Sequence, residues 1–239
     1  MEVQISVFDL LERDMQEKVV RRISYNDAKP FIMNIHYARR MPNITDAFGL
    51  FVNGSLIGVV TYGIPASHPL CIGIAGKENQ YNVKELNRLV ILPKFNGGGY
   101  NYASYLVSHS LKLLDDGTFV VSYADTAWSH VGYIYQACNF LYTGLSAKRL
   151  DTYQPNGLHP RAYNKDNHSS LYQTRSRKHR YVYLVGNKRT KKRMLSELKY
   201  PIIGKYPKGD EQHYDTNDPR IVSPIEIVES KKKVVQQSV

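Results

Sequence analysis

Between Lys84 and Gly144 the chain gathers the residues best suited to chemistry. Arg88 lies in an apolar, strand-like run, and Lys94-Phe95-Asn96-Gly97-Gly98-Gly99 makes a glycine turn after it. Asn101 and Ser104 open the run that follows. Asp125 ends a second apolar run, with Tyr133, Tyr135 and Gln136 soon after. Glycines let a backbone approach a phosphate closely, and the first N–H groups of a helix point at it. A phosphate-bearing donor would therefore be held by Arg88, Lys94, Gly97, Gly98, Gly99 and Asn101. A carboxylate at the C-terminal end of a strand stands where mixed α/β sheets place reacting groups. That marks Asp125 as a general base or hydrogen-bond acceptor, with Tyr135 and Ser104 beside it in the candidate set. His36-Tyr37 upstream joins them. Each has a plainer use: Asp125 as a helix cap, Ser104 on a helix surface, His36 as a satisfied polar contact.

A second kind of chemistry is written in charge. Between Lys148 and Arg193 stand 13 lysines and arginines against two acids, Asp151 and Asp166, an excess equal to the whole chain's net charge of +11. Tyr153, Tyr163, Tyr172, Tyr181 and Tyr183 are interleaved with them. Cations neutralise phosphates and release counterions, and aromatic faces stack on exposed bases. Arg175, Arg177, Lys178, Arg180, Lys188, Arg189, Lys191, Lys192 and Arg193, with Arg39 and Arg40, are the expected nucleic-acid-binding residues. A charge run is also commonly a solvated face.

Positioning these residues takes a mixed sheet with helices packed on it. The pattern implies a helix from Val3 to Ile23, a break at Asn26, Asp27 and Pro30, and a helix from Phe31 to Arg40 ended by Pro42. Phe48–Val52 and Leu56–Tyr62 flank Asn53-Gly54, a strong two-residue hairpin signal. Ser67 to Tyr81 reads as a loop. Then come a strand at Glu85–Leu92, a helix at Tyr100–Leu114, a strand at Phe119–Ala124 and a helix at Val131–Phe140. Tyr181–Val185 reads as a strand and Thr190–Leu198 as a helix. An α/β (α+β) domain over residues 1–200 is expected, followed by a polar extension over 201–239 in which Ile221–Val228 adds a strand at most.

Composition narrows the classes. An apolar fraction of 42% supports a globular core, and Cys71 and Cys138 make no disulfide framework or metal-type spacing. Glu2 and Asp9 interrupt the first apolar run, so no signal peptide is expected. No apolar stretch reaches the roughly 18 residues of a membrane span, and a cytoplasmic protein is expected. Tyrosine is abundant, at 19 residues against 7 phenylalanines and one tryptophan, which suits wet, base-stacking surfaces.

Lys94-x-x-Gly97-x-Gly99 resembles the [Gln/Arg]-x-x-Gly-x-[Gly/Ala] turn of the GCN5-related N-acetyltransferases, with lysine in the first place. In that family the turn holds the pyrophosphate of acyl-coenzyme A. A wider resemblance is carried by Ile35-His36-Tyr37-Ala38-Arg39-Arg40-Met41-Pro42, Glu85-Leu86-Asn87-Arg88-Leu89, Asn101-Tyr102-Ala103-Ser104-Tyr105-Leu106, Ser122-Tyr123-Ala124-Asp125 and Gly132–Gly144. These segments resemble the Mom family of phage DNA-modification proteins. The resemblance implies an acetyltransferase-like fold and conversion of adenine in DNA to N6-carbamoylmethyladenine, which protects phage DNA from host restriction. It also implies that His36, Tyr37, Arg88, Ser104, Asp125 and Tyr135 fall on active-site positions.

The exocyclic amine of adenine is a weak nucleophile hidden in the duplex, so the base must be flipped or single-stranded. Simple acetyl transfer gives N6-acetyladenine, whereas a glycyl group has the atoms of the carbamoylmethyl product. The donor is thus acyl-coenzyme A or a glycyl donor. A metal at His36, Tyr37 or Asp125 and a homodimer both stay open. Two other classes remain: an ordinary N-acyltransferase acting on a protein or small-molecule amine, and a non-catalytic DNA-binding protein.

Overall fold

The protein was analysed as a computed structural model describing residues 17–96, 100–153 and 171–209, and the backbone of Ile227–Val228. Its main sheet has seven strands: β1 (Lys18–Arg22), β2 (Asp46–Val52), β3 (Ser55–Gly63), β4 (Val83–Ile91), β5 (Phe119–Asp125), β6 (Leu141–Leu145) and β9 (Lys178–Leu184), in the order β1-β2-β3-β4-β5-β9-β6. A smaller sheet joins β7 (Arg149–Thr152), β8 (Tyr172–Arg175) and β10 (Ile227–Val228). The helices are α1 (Tyr25–Pro30), α2 (His68–Asn79), α3 (Tyr102–Leu111), α4 (Tyr133–Ala137) and α5 (Lys188–Glu197). The expected α/β class holds: β1 to β4 pair antiparallel, β4 and β5 parallel.

Two compact units divide the chain. One takes Met1–Ser122, Ile134–Leu141 and Tyr181–Pro201, the other Tyr123–Tyr133, Tyr142–Arg180 and Ile202–Val239. In the first unit the hairpin forms as expected, with Asn53 and Gly54 both at positive φ (47° and 77°), the backbone that a tight two-residue turn requires. Ala28, Ile32, Ala47 and Val59 make a buried cluster beneath it, flanked by Ile23, Met41 and Leu56. Buried Asp46 ties the first strands together, receiving Arg22 from β1 and Lys84 from β4.

Several expectations are corrected. Lys18–Arg22 is a strand, not the end of a helix, because β-branched Val19 and Val20 pair with Phe51 and Leu50 of β2 while Arg21 lies over the Phe51 ring. The rest of that expected helix lies outside the described residues. Asn26, Asp27 and Pro30 are helical rather than a break, because Ser24 and Asp27 form a reciprocal capping box that starts α1. Past Pro30 the chain widens into one π turn, Phe31–Ile35, and His36 is already extended, so no helix continues to Arg40. Ser67–Tyr81 is mostly the helix α2, kinked at Gly76 (φ 81°). Gly73 lets it pack close to Tyr200, whose hydroxyl an added Cβ would meet at 2.8 Å. The glycines that make this packing fit are what disguised the helix as a loop.

Candidate active site and nucleic-acid interface

In the first unit the site is organised by an irregularity in β4. Thr61 pairs with Arg88 but Tyr62 pairs with Leu86, so Asn87 is an extra residue, a β-bulge. Its amide is pinned at both ends: Oδ1 accepts from the Thr61 hydroxyl at 2.6 Å, and Nδ2 donates to the Asn43 carbonyl at 2.8 Å. Gly63 makes room, since a Cβ there would lie 1.9 Å from that same carbonyl oxygen. Glu85 and Arg88, three residues apart, would face opposite sides of a regular strand. The bulge brings them to one face, where each senses the other's charge.

Arg88 then clamps the segment after the π turn. Its Nε and Nη2 donate to the Arg40 carbonyl at 3.3 and 3.0 Å, and Nη1 donates to the Asn87 carbonyl at 2.6 Å. Burial lowers its pKa, with the Tyr37 hydroxyl acting the other way. Two of its five N–H donors remain beyond these three bonds. On the clamped segment the buried His36 ring stacks on Tyr37 at 4.3 Å, and His36 Nδ1 accepts the Ala38 N–H at 3.0 Å. In that arrangement the neutral ring carries its proton on Nε2. Arg39 and Arg40 are exposed, Arg39 with a left-handed φ of 40°.

Tyr135, on α4, belongs to the same unit. Its ring packs on Phe140 and Tyr181, and its deeply placed hydroxyl bonds with Ser122 of β5. Burial pushes its pKa up to about 12, the Ser122 hydrogen bond opposing, and Tyr37 and Glu85 add to the rise. Ser122 in turn donates to the Leu86 carbonyl at 3.1 Å, just past Glu85↔Val121, the last register pair between β4 and β5. Arg88, Tyr37 and Tyr135 are thus one electrostatic neighbourhood, and His36 is stacked on it. Glu85 and Ser122 complete it and were missed as site residues; Glu85 stood in a quoted segment, but nothing local announced the bulge that turns it.

The helix α3 supplies a different feature. Asn101 caps it by position only, with no side-chain cap bond, and Ser104 Oγ donates to the Asn101 carbonyl at 3.0 Å. The N-terminal end of a helix favours an anion. Lys94 lies over Phe95 at 5.0 Å. The Gly97, Gly98 and Gly99 expectation falls outside the described residues. Cys138 is buried against α3, between the Ser108 hydroxyl and the Ser104 carbonyl, and burial raises its pKa.

Asp125 is in the second unit. Oδ1 accepts the Ala127 N–H at 3.0 Å, capping a 3-10 turn, and Oδ2 lies 2.7 Å from Lys178 Nζ. Burial alone would raise its pKa, but Lys178, Ser176 and the Ala127 N–H together bring it below the ordinary carboxylate value. It is an ionised acceptor at neutral pH.

The basic residues separate into two physical kinds. Arg177 Nε donates to the Ser146 carbonyl at 2.8 Å, Arg180 Nε and Nη2 hold the Thr143 hydroxyl and carbonyl at 2.9 Å each, and Lys178 is on Asp125. Arg175 is exposed, with Asp151 at 3.8 Å. On α5, Lys191 turns inward to Tyr183, while Lys188, Arg189, Lys192 and Arg193 are exposed. Among the described residues no group of three or more His, Cys, Asp or Glu could hold a metal ion. No described helix is long and apolar enough to cross a membrane.

The profile of the Mom protein family matches residues 17–208 of the chain. The chain belongs to the Mom protein family. Among curated proteins none matches. Solved acetyltransferases match the structure at low identity. The Escherichia coli ribosomal-protein-S18-alanine N-acetyltransferase does so at a TM-score of 0.41 and 10% identity, covering 72% of this chain and 96% of its own. A spermidine N-acetyltransferase chimera from Vibrio cholerae SpeG and hSSAT gives 0.43 and 15%, over 74% and 98%. A Bacillus subtilis acetyltransferase in complex with CoA gives 0.40 and 10%, over 70% and 97%.

Proposed function

We propose that this Mom-family protein is a transferase that modifies adenine in DNA at N6, yielding N6-carbamoylmethyladenine. The observation that carries the reading is the family match across residues 17–208, together with the Arg88–Tyr37–Tyr135 neighbourhood at the positions where a Mom-like active site was expected.

The chemistry needs a donor carbonyl polarised, a poor amine nucleophile relieved of its proton, and the base held outside the duplex. Tyr135 keeps its proton throughout the physiological range, and by exchanging Ser122 for the acyl oxygen or leaving group its hydroxyl would serve as a hydrogen-bond donor there. Asp125 is ionised and suits accepting the N6–H. Arg88, with two N–H donors left, and the positive N-terminal end of α3 suit an acyl donor's anionic groups. Such a donor, acyl-coenzyme A or one carrying a glycyl unit, supplies the activated carbonyl. A glycyl unit fits the product best: its transfer to N6, with loss of the N6 proton and the donor's carrier, gives N6-glycyladenine, and a rearrangement within that isomer, moving N6 from the carbonyl carbon to the methylene and the amino group to the carbonyl, gives N6-carbamoylmethyladenine. His36 stacks on Tyr37 and so holds that ring in place, and its neutral Nε2–H form carries a hydrogen-bond donor.

The test is nucleoside mass spectrometry of DNA from cells expressing the protein. Adenosine heavier by a carbamoylmethyl group, absent with Tyr135→Phe, supports the reading. Unmodified adenosine in DNA, with an acylated protein or small amine in its place, would contradict it.

A further inference from the structure

The eleven cations expected to meet DNA are not equivalent. Arg177, Lys178 and Arg180 spend their charge on internal carbonyls, a hydroxyl and a carboxylate. On α5 the reverse holds. Met194 is buried and Lys191 folds back onto Tyr183, which leaves Lys188, Arg189, Lys192 and Arg193 exposed. They form two rows along the helix, Lys188 one turn from Lys192 and Arg189 one turn from Arg193, over roughly 7 Å of helix axis.

This arrangement is unfavourable for the helix itself. Like charges four residues apart repel, and cations crowd the positive end of the helix dipole, where none of the first-turn residues is acidic. The one opposite charge on the stripe is Glu197, whose Oε1 is 3.7 Å from Arg193 Nε. The helix is nonetheless held firmly. Asn187 caps it, accepting from Arg189 N and Thr190 N, and Asp116 fixes its start through Asn187 N at 3.2 Å and the Thr190 hydroxyl at 2.9 Å. With those first amides already bonded, what the helix offers a ligand is the row of side chains.

We propose that this face of α5 lies along the sugar–phosphate backbone of duplex DNA. The inference rests on the reading of the protein as a DNA-modifying enzyme, and assigns that enzyme's backbone contact to one element. The four exposed residues include no aromatic to stack on a base, so the stripe suits the outside of a duplex more than a splayed single strand. A phosphate row relieves the like-charge repulsion, which explains why a rigidly held helix carries it.

The test uses the full chain and a duplex of random sequence, with the dissociation constant measured across a salt series. Each phosphate contact contributes about 0.9 to the slope of log affinity against log salt. The combined variant Lys188→Gln, Arg189→Gln, Lys192→Gln, Arg193→Gln should flatten that slope by about 3 to 4, with a melting temperature equal to or above that of the parent. An unchanged slope with a strongly salt-dependent parent overturns the assignment alone. A loss confined to single-stranded oligonucleotides overturns the choice of duplex. A parent that binds no DNA overturns this inference and the proposed function together.

Discussion

Lys178 Nζ lies 2.7 Å from Oδ2 of Asp125, and the other carboxylate oxygen accepts the Ala127 N–H. A carboxylate held this way stays charged and immobile, an acceptor with a fixed direction. Losing Lys178 would leave that charge partly buried and unpaired. Lys178→Met should destabilise the fold by about 1–3 kcal/mol, since the lysine itself is partly exposed. The folded-state pKa of Asp125 is depressed, so its contribution is present above the unfolded value and disappears as pH falls through the folded one. Thermal melts should therefore separate parent and Lys178→Met at neutral pH and bring them together once the pH has fallen through the depressed folded-state value. Equal separation at both ends would contradict the ion pair.

Gly63 is the quietest member of the first unit's site. An added Cβ meets the Asn43 carbonyl oxygen at 1.9 Å, and that carbonyl holds the Asn87 bulge which aims Arg88. Gly63→Ala should cost about 1–3 kcal/mol of stability, and should lower modification more than the stability loss accounts for. Comparing activity with the folded fraction at several temperatures checks this. Activity that tracks the folded fraction would show that the bulge does not position Arg88.

Tyr135→Phe removes one hydroxyl from a packed ring. Losing its bond to Ser122 should cost about 1 kcal/mol, while modification should fall by about the 10²-fold or more typical of a lost transition-state hydrogen-bond donor. Because burial pushes its pKa up to about 12, the unfolded tyrosine ionises first as pH rises. The stability that Tyr135 contributes is full below about pH 10 and declines toward pH 12, and the phenylalanine variant should lack this decline. Alkaline unfolding curves of the pair provide the check.

Arg180 should behave as a structural cation. Its guanidinium holds the Thr143 hydroxyl and carbonyl, so Arg180→Gln should lower stability by about 1–3 kcal/mol. It should change the salt slope of DNA binding by less than 1. A larger slope change with unchanged stability would return Arg180 to the DNA interface.

Some of this was legible in the chain and some was not, for physical reasons. The hairpin at Asn53-Gly54 and the β4–α3–β5 run were readable because local turn chemistry and periodicity agree with the tertiary structure there. β1 was misread because Val19 and Val20 suit either element, and only pairing with β2 decides it. α2 hid behind Gly73 and Gly76, residues that weaken a helical pattern but admit Tyr200 and a kink. Arg88, Tyr37 and Tyr135 were identifiable as residues. Glu85 was not, because one extra residue in a strand turns a side chain to the other face without leaving a mark in composition. The charge of the basic block was plain, but which cations already had partners was not, since Ser146 and Thr143 lie more than thirty residues away.

The central claim is chemical modification of adenine in DNA, and digestion of DNA to nucleosides followed by mass spectrometry tests it most directly. Cells expressing the intact chain should yield a deoxyadenosine heavier by a carbamoylmethyl group, with fragment ions that separate it from the N6-glycyl isomer, and cells expressing Tyr135→Phe should yield almost none. An adenosine of acetyl mass would contradict the product, and unmodified adenosine in DNA from cells holding folded, DNA-binding protein would contradict the account.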